Sequence, residues 1–296
     1  MKRFNSKMTN SKRKLLLAWM FVLPSLLGVL IFKYYPLIRS MYMAFFDWNV
    51  MLPPGKYVGI QNFISLFQSS WFADALLNTA ILWLYSLLFG FWVPIAQALL
   101  VNELGKRGQG ISKVLYMLPV VVPGVSSALI WRWIFNPEFG LANQVLQAIG
   151  LEPLQWLNSI ELSKLSISLP SLVGGGTAII LYLAAIQGIP QDMFEAAKID
   201  GAGFFTRVFK LILPNIKGII SIQFILAMST ALQLFDRPFM MTGGGPADSS
   251  TTITMKLYTI AFGENRFGMA SAISVVMFVI TVILVAIQLK VQKGED

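Results

Sequence analysis

Between Gln191 and Pro214 the sequence reads QDMFEAAKIDGAGFFTRVFKLILP. In a chain that is otherwise oily, this stretch gathers Asp192, Glu195, Lys198, Asp200, Arg207 and Lys210 around the small residues Ala196, Ala197, Gly201, Ala202 and Gly203. The chemistry open to such residues is narrow. The chain has no histidine, the commonest general base and metal ligand. It has no cysteine either, which removes thiol nucleophiles, disulfides and thiolate metal sites. No G-x-x-x-x-G-K-[ST] phosphate loop occurs; Gly105, Lys106 and Arg107 lie near Gly108 at the wrong spacing. No catalytic residue, metal site or resident cofactor is therefore expected in this chain. What remains is recognition: charges that can be paired and small residues that let another backbone approach. A second polar set, Gln223, Thr230, Gln233 and Arg237, recurs at i, i+7, i+10 and i+14 and reads as one helical face.

The local signals predict how the charged stretch folds. Pro190 suits a first helical turn, and Asp192 and Glu195 in that turn complement the helix dipole. Gly201 can stop the helix by taking a positive φ. A second short helix is expected from Phe204 to Leu213, with Phe204, Phe205, Val208, Phe209 and Ile212 at helical spacing, and Pro214 opens the next element. On residues alone two readings stand: an amphipathic loop at the lipid headgroups, or a helix–Gly–helix elbow offered to another protein.

These elements must sit in a bilayer. Hydrophobic residues make up 56% of the 296 residues, charged residues only 12%, and mean hydropathy is +0.67; a soluble domain carries about 25% charged residues. Six stretches are long and apolar enough to span, at 15–32, 75–101, 114–134, 169–188, 216–234 and 267–289. Pro24, Pro94, Pro119 and Pro123 fall inside them and predict kinked helices packed in a bundle. The first span reads as an uncleaved helix, since no small-x-small cleavage pattern closes it. The net charge of +9 follows topology: with both termini inside, fifteen of the 23 Lys and Arg residues face the cytoplasm. The charged stretch then lies in the cytoplasm between spans four and five. The expected organisation is a basic N-terminus at 1–14, a first helix and outer loop at 15–74, and a core of five spans at 75–296 with the charged loop at 190–214. No carboxylate lies mid-span, as an ion-coupled carrier would need.

The motif EAAKIDGAGFFTRVFKLILP, from Glu195 to Pro214, resembles the EAA loop of ABC importer permeases. Glu195, Ala196, Ala197, Gly201, Ile212 and Pro214 stand in register with that pattern, and Asp200 and Ala202 match its DGA form. LPVVVPGVSSALIWRWIFNPEFGLANQVL at 118–146, TGGGPADSSTTIT at 242–254, and YVGIQNFISLF with NTAILW resemble the carbohydrate-uptake branch, the maltose and glycerol-phosphate type. The resemblance implies an all-α polytopic membrane protein: six transmembrane helices with a cytoplasmic coupling elbow, the type I importer permease. It implies that the elbow docks in a cleft of a separate cytoplasmic ATPase, where Glu195 meets a basic residue and Gly201 provides the bend. ATP and Mg would bind that ATPase. The implied partners are a second homologous permease, two ATPase subunits, an extracytoplasmic substrate-binding protein and a sugar-type substrate. The implied location is a bacterial or archaeal inner membrane. One departure stands out, Leu172 and three glycines where many relatives place tryptophan near the start of span four.

For the substrate path the resemblance places contacts near Gly174 and Thr177 on span four, with Ala227, Ala231 and Leu234 on span five, and the third-span block contributes Ser127. The stripe adds Thr230 and Gln233, which serve either a substrate or hydrogen bonds between helices. Trp131 and Trp133 flank Arg132 and either stack on sugar rings or anchor at the membrane interface. The segment 242–252 is expected to be a flexible outer loop, either a plain turn or part of the surface met by a substrate-binding protein. Two competing classes remain, a stand-alone secondary carrier or channel for a small polar solute, and a membrane enzyme; the charged elbow disfavours the first and the missing His, Cys and buried carboxylates the second.

Overall fold

The computed structural model describes residues 3–49, 51 and 55–293; Lys2, counted above in the basic N-terminus, lies outside them. Among the described residues the regular structure is helical apart from one two-residue antiparallel pair, Phe46–Asp47 with Lys56–Tyr57, in which Phe46 faces Tyr57. Three helical stretches are long and apolar enough to cross a bilayer without a break, Leu17–Met43, Ser70–Asn102 and Phe267–Val291. Three more qualify only as bent pairs. Lys106–Val121 meets Gly124–Ile134 at 100°, Ser163–Leu172 meets Gly176–Gln187 at 44°, and Phe204–Asn215 meets Lys217–Leu232 at 74°. The described residues thus hold three spans, or up to six if each bent pair is one, and the third, fourth and fifth are not the single helices read from hydropathy.

Two of the breaks have a residue-level cause. Val122 precedes Pro123, whose ring pushes the preceding residue out of helical geometry, and Val122 sits at φ −76°, ψ 125°. Val173, Gly174 and Gly175 separate the halves of the fourth pair, where glycine weakens helix propensity. Proline also explains a subtler feature. The π-helical turns Leu30–Tyr34, Leu88–Trp92 and Val208–Ile212 each end two residues before a proline, at Pro36, Pro94 and Pro214. A proline lacks an N–H and its ring crowds the carbonyl four residues back. Widening the preceding turn by one residue relieves that clash without ending the helix.

The chain divides into two compact units. One comprises Met1–Phe67 and Thr259–Phe278. Its long helix exposes Phe21, Ile31 and Phe32, as suits a segment solvated by lipid. Behind it, the Asn62 amide donates to the carbonyls of Ala44 and Phe46 at 2.8 and 2.9 Å and closes the turn that precedes the small sheet.

The other unit comprises Gln68–Tyr258 and Val279–Asp296. Its core packs Leu87, Phe91, Ile95, Ala98 and Leu99 of the second span against Ile179, Tyr182 and Ile186 of the helix Gly176–Gln187, with Val208, Ile212 and Met228. The glycines make this packing possible. A Cβ on Gly176 would be driven into the Tyr116 carbonyl oxygen, and one on Gly175 would strike the Pro94 ring. The triple glycine that departs from relatives is therefore a place where the helix Gly176–Gln187 closes on the backbone of Lys106–Val121 and its lead-in closes on the Pro94 ring of the second span.

The segment 242–252 is not the flexible loop expected. Ser249, Ser250, Thr251 and Thr252 are buried, and buried polar groups persist where they are hydrogen-bonded. The Thr242 and Ser250 hydroxyls pair at 2.7 Å, and the Thr251 hydroxyl donates to the Asp248 carboxylate at 2.7 Å. Asn78 donates to the Asp248 carbonyl at 2.9 Å, the Ile253 N–H donates to the Thr79 hydroxyl at 3.0 Å, and the Lys164 ammonium donates to Asn78 Oδ1 at 2.9 Å and the Ser249 carbonyl at 2.8 Å. A glycine run followed by a hydroxyl run gives the segment the composition of a loose loop, yet each of its buried hydroxyls is hydrogen-bonded.

Candidate functional site: a cavity at the helix breaks and a charged two-helix segment

A cavity of about 640 Å³ forms where the helices are broken. The third pair contributes Val122, Gly124, Ser127, Trp131 and Ile134 around its 100° bend. From the fourth come Pro170, Ser171, Val173 and Gly174, and from the second span Ser86 and Gly90, at and beside its π turn. The fifth supplies Ala227, Thr230, Ala231 and Leu234, followed by Asp236 and Arg237. Irregular backbone at membrane depth is tolerated where it is buried in protein or lines a cavity, and here the breaks of the third and fourth pairs lie at the cavity.

Of the six substrate-path residues expected, Ser127, Trp131, Gly174 and Thr230 come together in this cavity, with Ala227, Ala231 and Leu234. Thr177 and Gln233 are exposed and are not part of its wall. Gln233 falls away because the helix ends at Leu232; Gln233 sits at φ −100°, ψ 19°, and Arg237 belongs to a separate helix, Asp236–Met241. The single polar face from Gln223 to Arg237 therefore does not exist, although its members Thr230 and Arg237 both reach the cavity. The Thr230 hydroxyl also donates to the Leu226 carbonyl at 2.8 Å. The two tryptophans part company: Trp131 is half-buried in the cavity wall, its ring 5.4 Å from that of Phe135, while Trp133 is exposed beside Phe139.

Sequence reasoning missed Ser86, Ser171 and Asp236. A lone serine in an apolar span carries no spacing signal, and Ser171 drew no notice beside the glycines. Arg237 is the cation of the site. Its guanidinium donates to the Ser171 hydroxyl at 2.5 Å and, as an arginine, stays charged.

The charged stretch folds as two short helices about a turn. Gln191–Ile199 ends in a Schellman arrangement: the Gly201 N–H donates to the Lys198 carbonyl at 3.1 Å and the Ala202 N–H to the Ala197 carbonyl at 2.9 Å. Gly201 takes φ +72°. Helix Phe204–Arg207 follows, then the π turn Val208–Ile212 and Leu213–Asn215, which carries the exposed Pro214. The expected apolar face of the second helix is split by that turn: Val208 and Ile212 are buried, whereas Phe205 and Phe209 are exposed. A π turn changes the residue spacing, so a 3.6-residue periodicity misplaces them. Arg207 pairs with Glu103 at 2.8 Å and ties this half to the end of the second span.

A concavity of about 610 Å³ opens between the halves, lined by Ala196, Ala197, Asp200, Gly201, Ala202, Arg207 and Lys210 among others. Glu195 is not in its wall. It stands exposed on the first helix, and among the described residues it has no ion pair. Met193 and Ile199 are exposed as well.

Gly201→Val tests the turn. Nothing lies within 4 Å of a Cβ there, so the substitution costs only backbone strain, about 1–3 kcal/mol. The expected result is a chain that inserts but transports less per assembled complex, with Gly201→Asn milder because asparagine tolerates the left-handed region. Transport by Gly201→Val equal to wild type would show that the positive φ is not used.

Comparison with known proteins agrees with this architecture. Residues 90–294 match the family described as binding-protein-dependent transport system inner membrane component. The sulfoquinovosyl glycerol transport system permease SmoG of Agrobacterium fabrum is 32% identical over 95% of this chain and 92% of its own. The trehalose/maltose transport system permease MalF of Thermococcus litoralis is 29% identical over 94% of each. A chain in the crystal structure of a bacterial ABC transporter that imports the acidic polysaccharide alginate superposes with a TM-score of 0.86, at 27% identity, over 97% of this chain and 99% of that one. A second structure of an alginate transporter, in complex with a pentasaccharide-bound periplasmic protein, gives a TM-score of 0.83 at 28% identity. With the matched region covering more than half of its length and the importer fold matched nearly end to end, this chain belongs to the binding-protein-dependent inner membrane components, the non-enzymatic permease subunits of ABC importers.

Proposed function

We propose that this chain forms half of the translocation path of an ATP-driven importer for a sugar, oligosaccharide or related polyol. The observation that carries the reading is the cavity at the helix breaks, which offers hydroxyls from Ser127, Ser171 and Thr230 with the Trp131 ring. Hydroxyl donors and an aromatic face suit a polyhydroxylated ring. The names of SmoG and MalF support the same class. In this reading both termini and the segment Gln191–Asn215 lie in the cytoplasm, by the excess of Lys and Arg on that side. Glu195, Ala196, Ala197, Asp200, Gly201, Ala202 and Pro214 belong to the surface that meets a separate ATPase, which carries ATP and Mg. Exposed Met193 and Ile199 beside them are apolar surface for such a partner to cover. A second permease of the same fold, a different chain, completes the path. Two ATPase subunits receive the two coupling segments, and an extracytoplasmic binding protein delivers the substrate.

Purification from native membrane tests the assembly, and reconstitution tests the dependence. A stoichiometric ATPase, a second permease and a sugar-binding protein are expected to copurify. The chain alone in liposomes, given radiolabelled sugars and an ion gradient, is expected to accumulate nothing above an empty-vesicle control. Saturable accumulation by the lone chain would overturn the subunit reading in favour of a secondary carrier.

A further inference from the structure

Among the groups lining the cavity, Arg237 is the one the neutral-sugar reading does not need. A charged side chain in a membrane protein is costly and is kept where it pairs or faces a functional cavity. Its only hydrogen-bond partner among the described residues is the neutral Ser171 hydroxyl, and no carboxylate lies within ion-pair distance of it. A guanidinium carries five N–H donors in a planar fork, so most of its hydrogen-bonding capacity is left over. Asp236 precedes it in the chain and also lines the cavity, yet the two form no ion pair among the described residues. An Asp236 oxygen lies 3.9 Å from where a Cβ on Gly124 would stand at the third-span break, and a guanidinium nitrogen lies 3.8 Å from the same point on Gly174 at the fourth-span break.

We propose, building on the saccharide reading above, that Arg237 is a specificity-determining residue that binds an anionic substituent of the substrate, so that this permease takes an acidic saccharide. A carboxylate, sulfonate or phosphate ester presents paired oxygens that match the fork of a guanidinium. The rest of the cavity suits the remainder of such a ligand. Trp131 faces a sugar ring, and Ser127, Thr230 and the Asp236 carboxylate hydrogen-bond ring hydroxyls. The two charges then have different duties: Asp236 accepts hydroxyl protons and Arg237 holds the anion. A neutral saccharide would leave the guanidinium without an ionic partner, which lowers its affinity relative to an acidic one.

The test uses the detergent-purified complete complex without its binding protein, so that delivery does not set the selectivity. Binding is measured by calorimetry for a glucuronate-containing disaccharide, a sulfonated glycoside, and the neutral disaccharides maltose and trehalose. Wild type is expected to bind at least one acidic probe about tenfold to a hundredfold more tightly than either neutral one, the range for a charged hydrogen bond, with the advantage shrinking as salt is raised. Arg237→Gln is expected to erase that advantage, so that acidic and neutral probes bind alike. Arg237→Lys should restore part of it, since lysine keeps the charge without the fork. The proposal is overturned if wild type binds neutral and acidic probes alike, or if Arg237→Gln keeps the preference. The wild-type comparison decides even if a variant fails to assemble. Equal binding of neutral and acidic saccharides would remove the role of Arg237 and leave the saccharide reading standing; failure of every saccharide, acidic or neutral, would remove both.

Discussion

Glu195→Lys is expected to abolish transport while the chain still inserts and assembles its own helices. Glu195 is exposed on the helix Gln191–Ile199 and forms no ion pair among the described residues, so its loss removes nothing from the fold. Its carboxylate is available for a partner, and in the proposed assembly that partner is a basic residue of the ATPase. Removing one member of a pair buried on docking leaves an uncompensated charge, at about 3–5 kcal/mol, and reversal places like charges together. A loss of that size is more than a hundredfold in docked complex. The measurement compares substrate uptake and binding-protein-stimulated ATP hydrolysis with membrane-inserted protein in the same preparation. Wild-type uptake at normal insertion would show that Glu195 faces no partner. A charge-swapped ATPase variant that restores uptake would identify the partner directly.

Gly176→Val should act on the opposite link of the chain, the packing that holds the helices. A Cβ at this position meets the Tyr116 carbonyl, which is backbone and cannot swing aside as a side chain would. Relief requires the helix Gly176–Gln187 to part from Lys106–Val121, and Ile179, Tyr182 and Ile186 leave the core with it. Overpacking commonly costs 1–3 kcal/mol; with backbone in the way the expected cost is about 3 kcal/mol or more, a large share of the 5–15 kcal/mol that folded domains hold. The prediction is loss of monodisperse protein in detergent, with Gly176→Ala intermediate. Gly218→Ala is the control, since no atom lies within 4 Å of its Cβ. If Gly176→Val melts with the wild type, the two helices are not in backbone contact.

Hydropathy located the apolar stretches well because apolar length is a bulk property. The last span was read as 267–289 and runs Phe267–Val291. The first was ended too early, at 32 against Met43, because Lys33 and Arg39 lower the average while the backbone ladder continues through them. Averaging is also blind to direction: Pro123 signals a kink but not a bend of 100°, and the glycines from Gly174 do not fix the angle of the break they make. The same blindness governed the site. Ser127, Trp131, Gly174 and Thr230 were legible as polar, aromatic or glycine residues in matching blocks, and they meet. Thr177 was placed by resemblance and falls inside the helix Gly176–Gln187, and Gln233 was placed by extending helical periodicity past the helix end at Leu232. Ser86 and Ser171 come in through a π turn and a 3₁₀ turn, Leu88–Trp92 beside one and Leu169–Leu172 around the other, whose geometry no periodic template anticipates.

The tethered segment 242–254 limits how such a permease can move. Asn78 and Thr79 sit on the second span, Lys164 on the first half of the fourth pair, and Thr252 donates to the Leu234 carbonyl at 3.2 Å just beyond the fifth. Three separate stretches of chain are thereby sewn to one strap, and shearing any two past each other at that level would strip several hydrogen bonds at once. Alternating access cannot then be a general loosening of the bundle. The strapped end must travel as one block, and rotation must be taken up at the joints the strap leaves out, the bend at Pro123, the glycines before Thr177, and Ile216 beneath the fifth span.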